Sequence, residues 1–284
     1  MVKKRINRSA GGNIALFVIL AACGLYTSVP MIYVISNALK PLDQLYQFPP
    51  PLIVTNPTPD NFIGLIQMTS EYWVPLSRYI FNSIFISVTA TAGNVFLASM
   101  AAYPLAKHQF PGKKAIQKIV VMSLLFTSAV ISIPQYIVMS KLSILNTYWS
   151  LIFPMFMSSL GLYLMQNFMV LLNDSMLEAA RIDGAGEFRV YASIIMPNCK
   201  PAWLTLIIFA FQQIWKNTGN LYIYDESLKT LPSLLSSVAA GSSSIARAGV
   251  SAAASLILII PPVVTFLLTQ SPVVETMSTS GLKD

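Results

Sequence analysis

The sequence predicts an all-α integral membrane protein of six spanning helices, and two observations carry that prediction. Of its 284 residues, 55% are hydrophobic and only 10% charged, against roughly 25% charged in soluble domains, and the mean hydropathy is +0.63. The apolar residues are also gathered into long runs, several of which reach the roughly 20 residues that a helix needs to cross about 30 Å of hydrocarbon. Alternation of period two, the mark of a membrane barrel, is absent. Lipid supplies no water to unpaired backbone groups, so these runs form helices.

Taken in order, the runs cover residues 13–36, 79–104, 116–139, 147–172, 202–218 and 245–270. They make 13–270 one transmembrane domain between a short N-terminal segment, 1–12, and a tail, 271–284. The opening Lys3-Lys4-Arg5 and the Leu20-Ala21-Ala22-Cys23 stretch look like a cleavable leader, but the apolar run continues to Ser36 and reads as a retained first span. Between the first two spans lies a proline-rich loop, 37–77, with Pro41, Pro49, Pro50, Pro51, Pro57, Pro59 and Pro75. Proline favours extended and turn backbone, so an ordered loop is expected, with a flexible linker as the alternative. The second span carries Ala90, Ala92, Gly93, Ala98, Ala101 and Ala102, and the sixth Ala246, Ala248, Gly249, Ala252 and Ala253. Small residues let helices approach closely in lipid; they serve packing within the bundle or a face for a second subunit. Pro134 is expected to interrupt the third helix, and Pro261-Pro262 the sixth.

Charge sets the orientation. With the N-terminus inside, 12 of the 18 basic residues face the cytoplasm: Lys3, Lys4, Arg5, Arg8, Lys107, Lys113, Lys114, Lys118, Arg181, Arg189, Lys200 and Lys283. Lys40, Arg78, Lys141, Lys216, Lys229 and Arg247 face outward. This bias places both termini in the cytoplasm, and it accounts for the net charge of +7 without nucleic acid. No catalytic constellation is visible. His108 is the single histidine, which excludes a histidine triad or cluster for a metal, and there is no phosphate-binding loop of the Gly-x-x-x-x-Gly-Lys-Ser/Thr type. The spans lack the intramembrane carboxylates common in proton-coupled pumps. Cys23 and Cys199 lie far apart and imply no disulfide framework.

One loop, 173–201, is polar and shaped. Ser175-Met176-Leu177-Glu178 fits a capping box, which starts a helix at about Ser175. Ala179 and Ala180 continue it with high helix propensity, and Gly184 suits a helix stop. Glu178 could also pair with Arg181 at i+3. A second helical piece is expected around 187–195, with Pro197 and Pro201 breaking the chain before the fifth span.

The order Glu178-Ala179-Ala180, Gly184, then Ile194-Ile195-Met196-Pro197 resembles the EAA motif of bacterial ATP-binding-cassette (ABC) importer permeases, in its usual place between the fourth and fifth spans. Further stretches resemble the MalG-like carbohydrate branch: Tyr103-Pro104-Leu105-Ala106, Phe110-Pro111-Gly112-Lys113-Lys114, Ile133-Pro134, Leu145-Asn146-Thr147-Tyr148, Lys229-Thr230-Leu231-Pro232, and the tail from Glu275 to Gly281. Met196 stands where leucine is usual, Asn173-Asp174 where a proline is common, and Tyr191 where phenylalanine is frequent.

The resemblance implies a type I ABC importer permease fold in a bacterial plasma membrane. It implies that Glu178, Ala179, Ala180, Asp183, Gly184, Ala185 and Pro197 belong to a coupling helix that docks on a cytoplasmic ATPase dimer. It further implies a second, homologous permease as heterodimer partner, an extracytoplasmic solute-binding protein and a sugar as cargo. ATP and magnesium would be bound by the partner ATPase, so no cofactor or enzymatic activity is expected of this chain. Gln135, Tyr136, Gln212, Gln213, Trp215 and Asn217 are candidates for the solute path, with interhelical hydrogen bonds or an interfacial aromatic belt as the alternative. An ion-coupled transporter and a membrane scaffold without a solute path are the competing functional classes.

Overall fold

The computed structural model describes residues 10–70, 73–240 and 248–280. The basic residues Lys3, Lys4, Arg5, Arg8, Arg247 and Lys283, and also Ala246, lie outside the described residues. Among the described residues all regular structure is helical. The helices are α1 (Ala10–Leu39), α2 (Leu42–Leu45), α3 (Asp60–Ser70), α4 (Leu76–Lys107), α5 (Lys113–Ser123), α6 (Ser128–Lys141), α7 (Trp149–Phe156) and α8 (Ser159–Val170). They continue with α9 (Asp174–Ile182), α10 (Glu187–Val190), a π turn (Tyr191–Ile195), α11 (Met196–Asn198), α12 (Lys200–Trp215), α13 (Leu231–Ala240) and α14 (Ala248–Ser280).

The chain divides into two compact units. One comprises Met1–Thr69 and Val238–Ile257, the other Ser70–Ser237 and Leu258–Asp284. In the first unit α1 is apolar, and residues 11–33 are exposed along all its faces. Its C-terminal carbonyls, which have no helical donors, receive the Asn61 carboxamide, whose Nδ2 donates to Ala38 O at 3.1 Å and Lys40 O at 2.7 Å. The buried Lys40 ammonium donates to Asn37 Oδ1 at 2.7 Å and Pro51 O at 2.5 Å, and Gln44 Nε2 donates to Thr55 Oγ1 at 2.7 Å. The proline-rich loop is therefore ordered in its described part, built on α2 and α3. Gly249 admits the Asn61 side chain against its backbone: a Cβ there would sit 2.2 Å from Asn61 Oδ1.

In the second unit α4 is the central element. Ala98, Ala102 and Tyr103 pack with Met165 and Met169 of α8, Leu177 of α9, Val190, Tyr191, and Ala202 and Leu206 of α12. A second cluster joins Ile86 and Ala90 of α4 to Met139 of α6, Leu151, Ile152 and Met155 of α7, and Ala210 and Ile214 of α12. The small residues Ala90, Ala98 and Ala102 are thus spent on packing within the unit, whereas Ala92 and Ala101 are exposed. Gly93 takes the Phe156 ring directly against the α4 backbone, where a Cβ would come within 2.0 Å of it.

Among the described residues four helical stretches are long and apolar enough to cross a membrane: Gly11–Leu39, Leu76–Lys107, Trp149–Val170 and Ala248–Gln270. Glu187–Asn198 and Lys200–Trp215 make a fifth if that pair, bent by 79°, is one span. The expected third span is not one helix but α5 and α6, separated at 124–127. The last turn of α5 tightens to i−3 bonds, Leu124 N to Val121 O and Leu125 N to Met122 O, and Ser123 Oγ bonds back to Val120 O at 2.7 Å, a pattern that unwinds and bends helices.

The prolines do not interrupt where expected. Pro134 lies inside α6 and Pro261-Pro262 inside α14, both unbroken. Proline lacks the N–H that would reach the carbonyl four residues back, and neighbouring groups can replace it. Pro262 leaves Leu258 O without its helical donor, and the buried Trp215 indole N–H supplies one at 3.0 Å. Trp215→Phe keeps a ring but strands that carbonyl, which should cost about 1–3 kcal/mol. The expected reading is a clear fall in the thermal unfolding midpoint in detergent, with the helical content of the folded protein unchanged.

Candidate functional site

The polar segment that follows α8 starts on an asparagine. Asn173 Oδ1 accepts from Ser175 N at 3.1 Å, so the cap lies two residues before the expected capping box and Ser175 is already helical. Asparagine caps at least as well as serine, and Asp174 then sits in the first turn, where the helix dipole favours it. Glu178 is consequently not a capping partner. Nor does it pair with Arg181, which turns to Glu187 instead, with Nε to Oε1 at 2.9 Å and Nη2 to Oε2 at 3.3 Å. Among the described residues Glu178 makes no side-chain hydrogen bond or ion pair, and it is exposed together with Ala179.

Helix α9 ends at Gly184, whose φ is +81°. Ala185 N reaches Ala180 O at 2.9 Å and Gly184 N reaches Arg181 O at 3.0 Å, the paired bonds of a Schellman stop. Leu177 anchors the inner face at 2% exposure, and Asp183, like Gly184, is exposed while Ala185 is half-buried. The outer side also presents two large apolar groups, Ile182 at 85% and Phe188 at 69% exposure. Beyond α10 the chain widens into the π turn ahead of Pro197, which gives the proline ring room within a helix. Pro197 therefore lies inside the helical run, and the sharp bend falls at Cys199, before Pro201.

The segment is fastened to α4 by a polar stripe that sequence reasoning missed. Ser99, Tyr103 and Lys107 lie at i, i+4 and i+8 on one helix face. Ser99 Oγ and Tyr191 OH are 2.7 Å apart, and Tyr103 OH donates to Glu187 Oε2 at 2.5 Å. Lys107 Nζ donates to Asp174 Oδ1 and to Leu172 O, both at 2.6 Å. His108 Nε2 lies 3.3 Å from Glu187 Oε2. The spacing of three hydrogen-bonding side chains at the end of an apolar span was the available signal.

The solute-path candidates fall on α6, α12 and the residues just after. Tyr136 OH and Tyr224 OH are 3.1 Å apart, and the Tyr136 ring stacks on Tyr222 with centroids 6.5 Å apart. Tyr136 borders the cluster that holds Ile214, so α6 and α12 meet there. Trp215 is buried, with its N–H on Leu258 O. Asn217 Oδ1 accepts from Gly219 N at 3.0 Å and forms a turn. Gln135 and Gln212 are half-buried and Gln213 exposed, with no side-chain hydrogen bonds among the described residues.

Residues 94–271 match the family described as binding-protein-dependent transport system inner membrane component. The chain belongs to this family. Among curated relatives, it is 37% identical to protein LplC of Bacillus subtilis over 55% of this chain and 53% of that one. It is 31% identical to the B. subtilis polygalacturonan/rhamnogalacturonan transport system permease protein YtcP, over 53% and 56%. The chain thus spans about half the length of these two relatives. The sn-glycerol-3-phosphate transport system permease protein UgpE of Yersinia enterocolitica is 29% identical over 80% of this chain and 82% of that one. In fold, the chain is similar to a subunit in the structure of a bacterial ABC transporter involved in the import of the acidic polysaccharide alginate, with a TM-score of 0.74, 20% identity, and 95% and 98% of the two chains covered.

In this inner membrane component the segment's carboxylates are tuned by their partners. The Arg181 hydrogen bond, then that of Tyr103, holds Glu187 below the ordinary glutamate value of 4.5, and Lys107 holds Asp174 below 3.8. Groups depressed in this way stabilise the fold above their unfolded values, and that stability is lost as pH falls through the folded ones. Between about pH 6 and pH 3 the segment should therefore loosen, measured as falling amide protection factors in 174–190, each taken against the intrinsic exchange rate at that pH. Glu187→Gln should flatten part of that pH dependence and leave the Asp174 part in place.

Proposed function

We propose that the chain is a transmembrane permease subunit of an ATP-driven ABC importer for a sugar or oligosaccharide. Family membership, by the match over 94–271, is the observation that carries the reading. Relatives include permease proteins for polygalacturonan/rhamnogalacturonan and for arabinooligosaccharides. The chain forms half of a translocation pathway beside a second, homologous permease, and receives solute from an extracytoplasmic binding protein. ATP and magnesium bind to a separate cytoplasmic ATPase dimer, where hydrolysis takes place.

The protein crosses the bacterial plasma membrane six times with both termini in the cytoplasm. α5 and α6 together make the third crossing and α12 the fifth. At about 24 Å for 16 residues, α12 is short for a core of about 30 Å, and the 3-residue α11 and the Cys199 elbow lie next to it.

Segment 173–201 is the coupling element. Its exposed Glu178 and Ala179, with the exposed Ile182 and Phe188, offer an unpaired carboxylate beside apolar surface, the combination expected of a docking face. Asp183, Gly184, Ala185 and Pro197 shape its stop and its bend. Gln135, Tyr136, Gln212, Gln213, Trp215 and Asn217 border the solute path. The three glutamines, with no side-chain hydrogen bond among the described residues, are its best-placed hydrogen-bonding groups.

Copurification tests the coupling role. Glu178→Lys reverses the exposed charge, and Gly184→Trp puts a bulky residue at a left-handed position. Both variants should reach the membrane yet lose the ATPase and solute uptake. Retained ATPase binding with normal uptake in both would overturn the docking role.

A further inference from the structure

The covalent chain joins segment 174–198 to α8 and α12, yet its strongest polar contacts run to α4. Each of the three α4 side chains lands where a new element of the segment begins. Lys107 meets Asp174, the first residue of α9, and also Leu172 O at the α8–α9 joint. Tyr103 meets Glu187, the first residue of α10, and Ser99 meets Tyr191, the first residue of the π turn. The fastenings span eight residues of helix, about 12 Å.

On the α4 side they are dry: Ser99 is 0% exposed and Tyr103 7%, and the Lys107 side chain is 4% exposed. Tyr191 is 6% exposed, whereas Asp174 and Glu187 keep 73% and 52% of their side chains exposed. Breaking one of these bonds therefore strands the buried α4 group, while a freed carboxylate can turn to water. Leu177 and Val190 add apolar contact to Ala98, Ala102 and Tyr103 in one cluster.

Past Tyr191 the polar contacts change, while Ile195 and Cys199, both 0% exposed, stay in the same apolar cluster. Side-chain hydrogen bonds become local, Asn198 Nδ2 to Ile194 O at 2.7 Å and Trp203 Nε1 to Met196 O at 3.1 Å. The π turn, Pro197 and the 79° elbow follow in succession.

We infer that the C-terminal part of α4 is a splint: through Ser99, Tyr103 and Lys107 it makes residues 174–191 move as one body with α4, and it leaves bending to the π turn and the Cys199 elbow. Resting on the coupling role proposed above, the inference makes α4 the helix that takes up the ATPase stroke. Ser99, Tyr103 and Lys107 are positioning residues that touch neither ATP nor solute.

The test compares Tyr103→Phe, Lys107→Glu and the swap Lys107→Glu/Asp174→Lys in full-length permease, purified with its partner permease and ATPase and reconstituted with the binding protein. Hydrogen exchange should rise in 174–190 in both single variants. ATPase should stay bound, while solute taken up per ATP hydrolysed falls roughly tenfold. The swap, which restores the ion pair, should recover part of both effects, and the ratio of uptake to hydrolysis with ATPase still bound separates the splint from a merely structural loss. Unchanged exchange in 174–190, or an unchanged ratio of uptake to hydrolysis, overturns the splint. Should the parent chain hold no ATPase, the docking role fails instead, and the exchange measurement still decides the splint. If Lys107→Glu does not fold, Tyr103→Phe, which keeps the ring, carries the decision.

Discussion

The constraint on which this structure rests is that lipid satisfies no backbone group. A helix break or a proline releases carbonyls, and at several such places in this chain a side chain from elsewhere in the same compact unit meets them. Asn61 takes the end of α1, and Asn94 donates to Met155 O where α7 ends. Trp215 takes the carbonyl freed by Pro262, and Lys107 takes Leu172 O where α8 gives way to α9. Asn82 does the same for Ser227 O and Lys229 O, each at 2.9 Å. Some of the buried polar residues in this oily chain, Asn61, Asn82 and Asn94 among them, are thus a means by which broken helices remain possible.

The same economy shapes the segment after α8. Its inner side is consumed by internal contacts: Leu177 and Val190 in the core, Glu187 with Arg181 and Tyr103, Asp174 with Lys107. What remains outside is Glu178, Ala179, Ile182 and Phe188. A carboxylate without a partner among the described residues, next to apolar groups at 69% and 85% exposure, is a costly surface for an isolated loop. It is an economical one for a loop that lies against another protein.

Much of the architecture was legible. Long apolar runs announced helices, and the alanine pair followed by Gly184 announced a short helix with a left-handed stop. Details that turn on competition were less so. Asn173 displaced Ser175 as the cap because two good capping residues lay two positions apart. Arg181 passed over Glu178 for Glu187, since the tight stop at Gly184 turns the chain and brings Glu187 beside it. Pro262 reads as an interruption because the group that takes its freed carbonyl, the Trp215 indole, is remote in sequence. The α4 stripe was visible as spacing, but its partners lie 65 to 92 positions away.

By itself, then, the sequence determined the solvent this protein lives in, the helical character of its runs, and the polar segment placed between the fourth and fifth of them. Composition and local periodicity set these, and both act over a few turns of chain. Tertiary structure alone decided which residues of that segment face outward and which helix holds it. Those choices depend on hydrogen bonds and apolar contacts between residues far apart in sequence, and such contacts form only between groups that folding brings together.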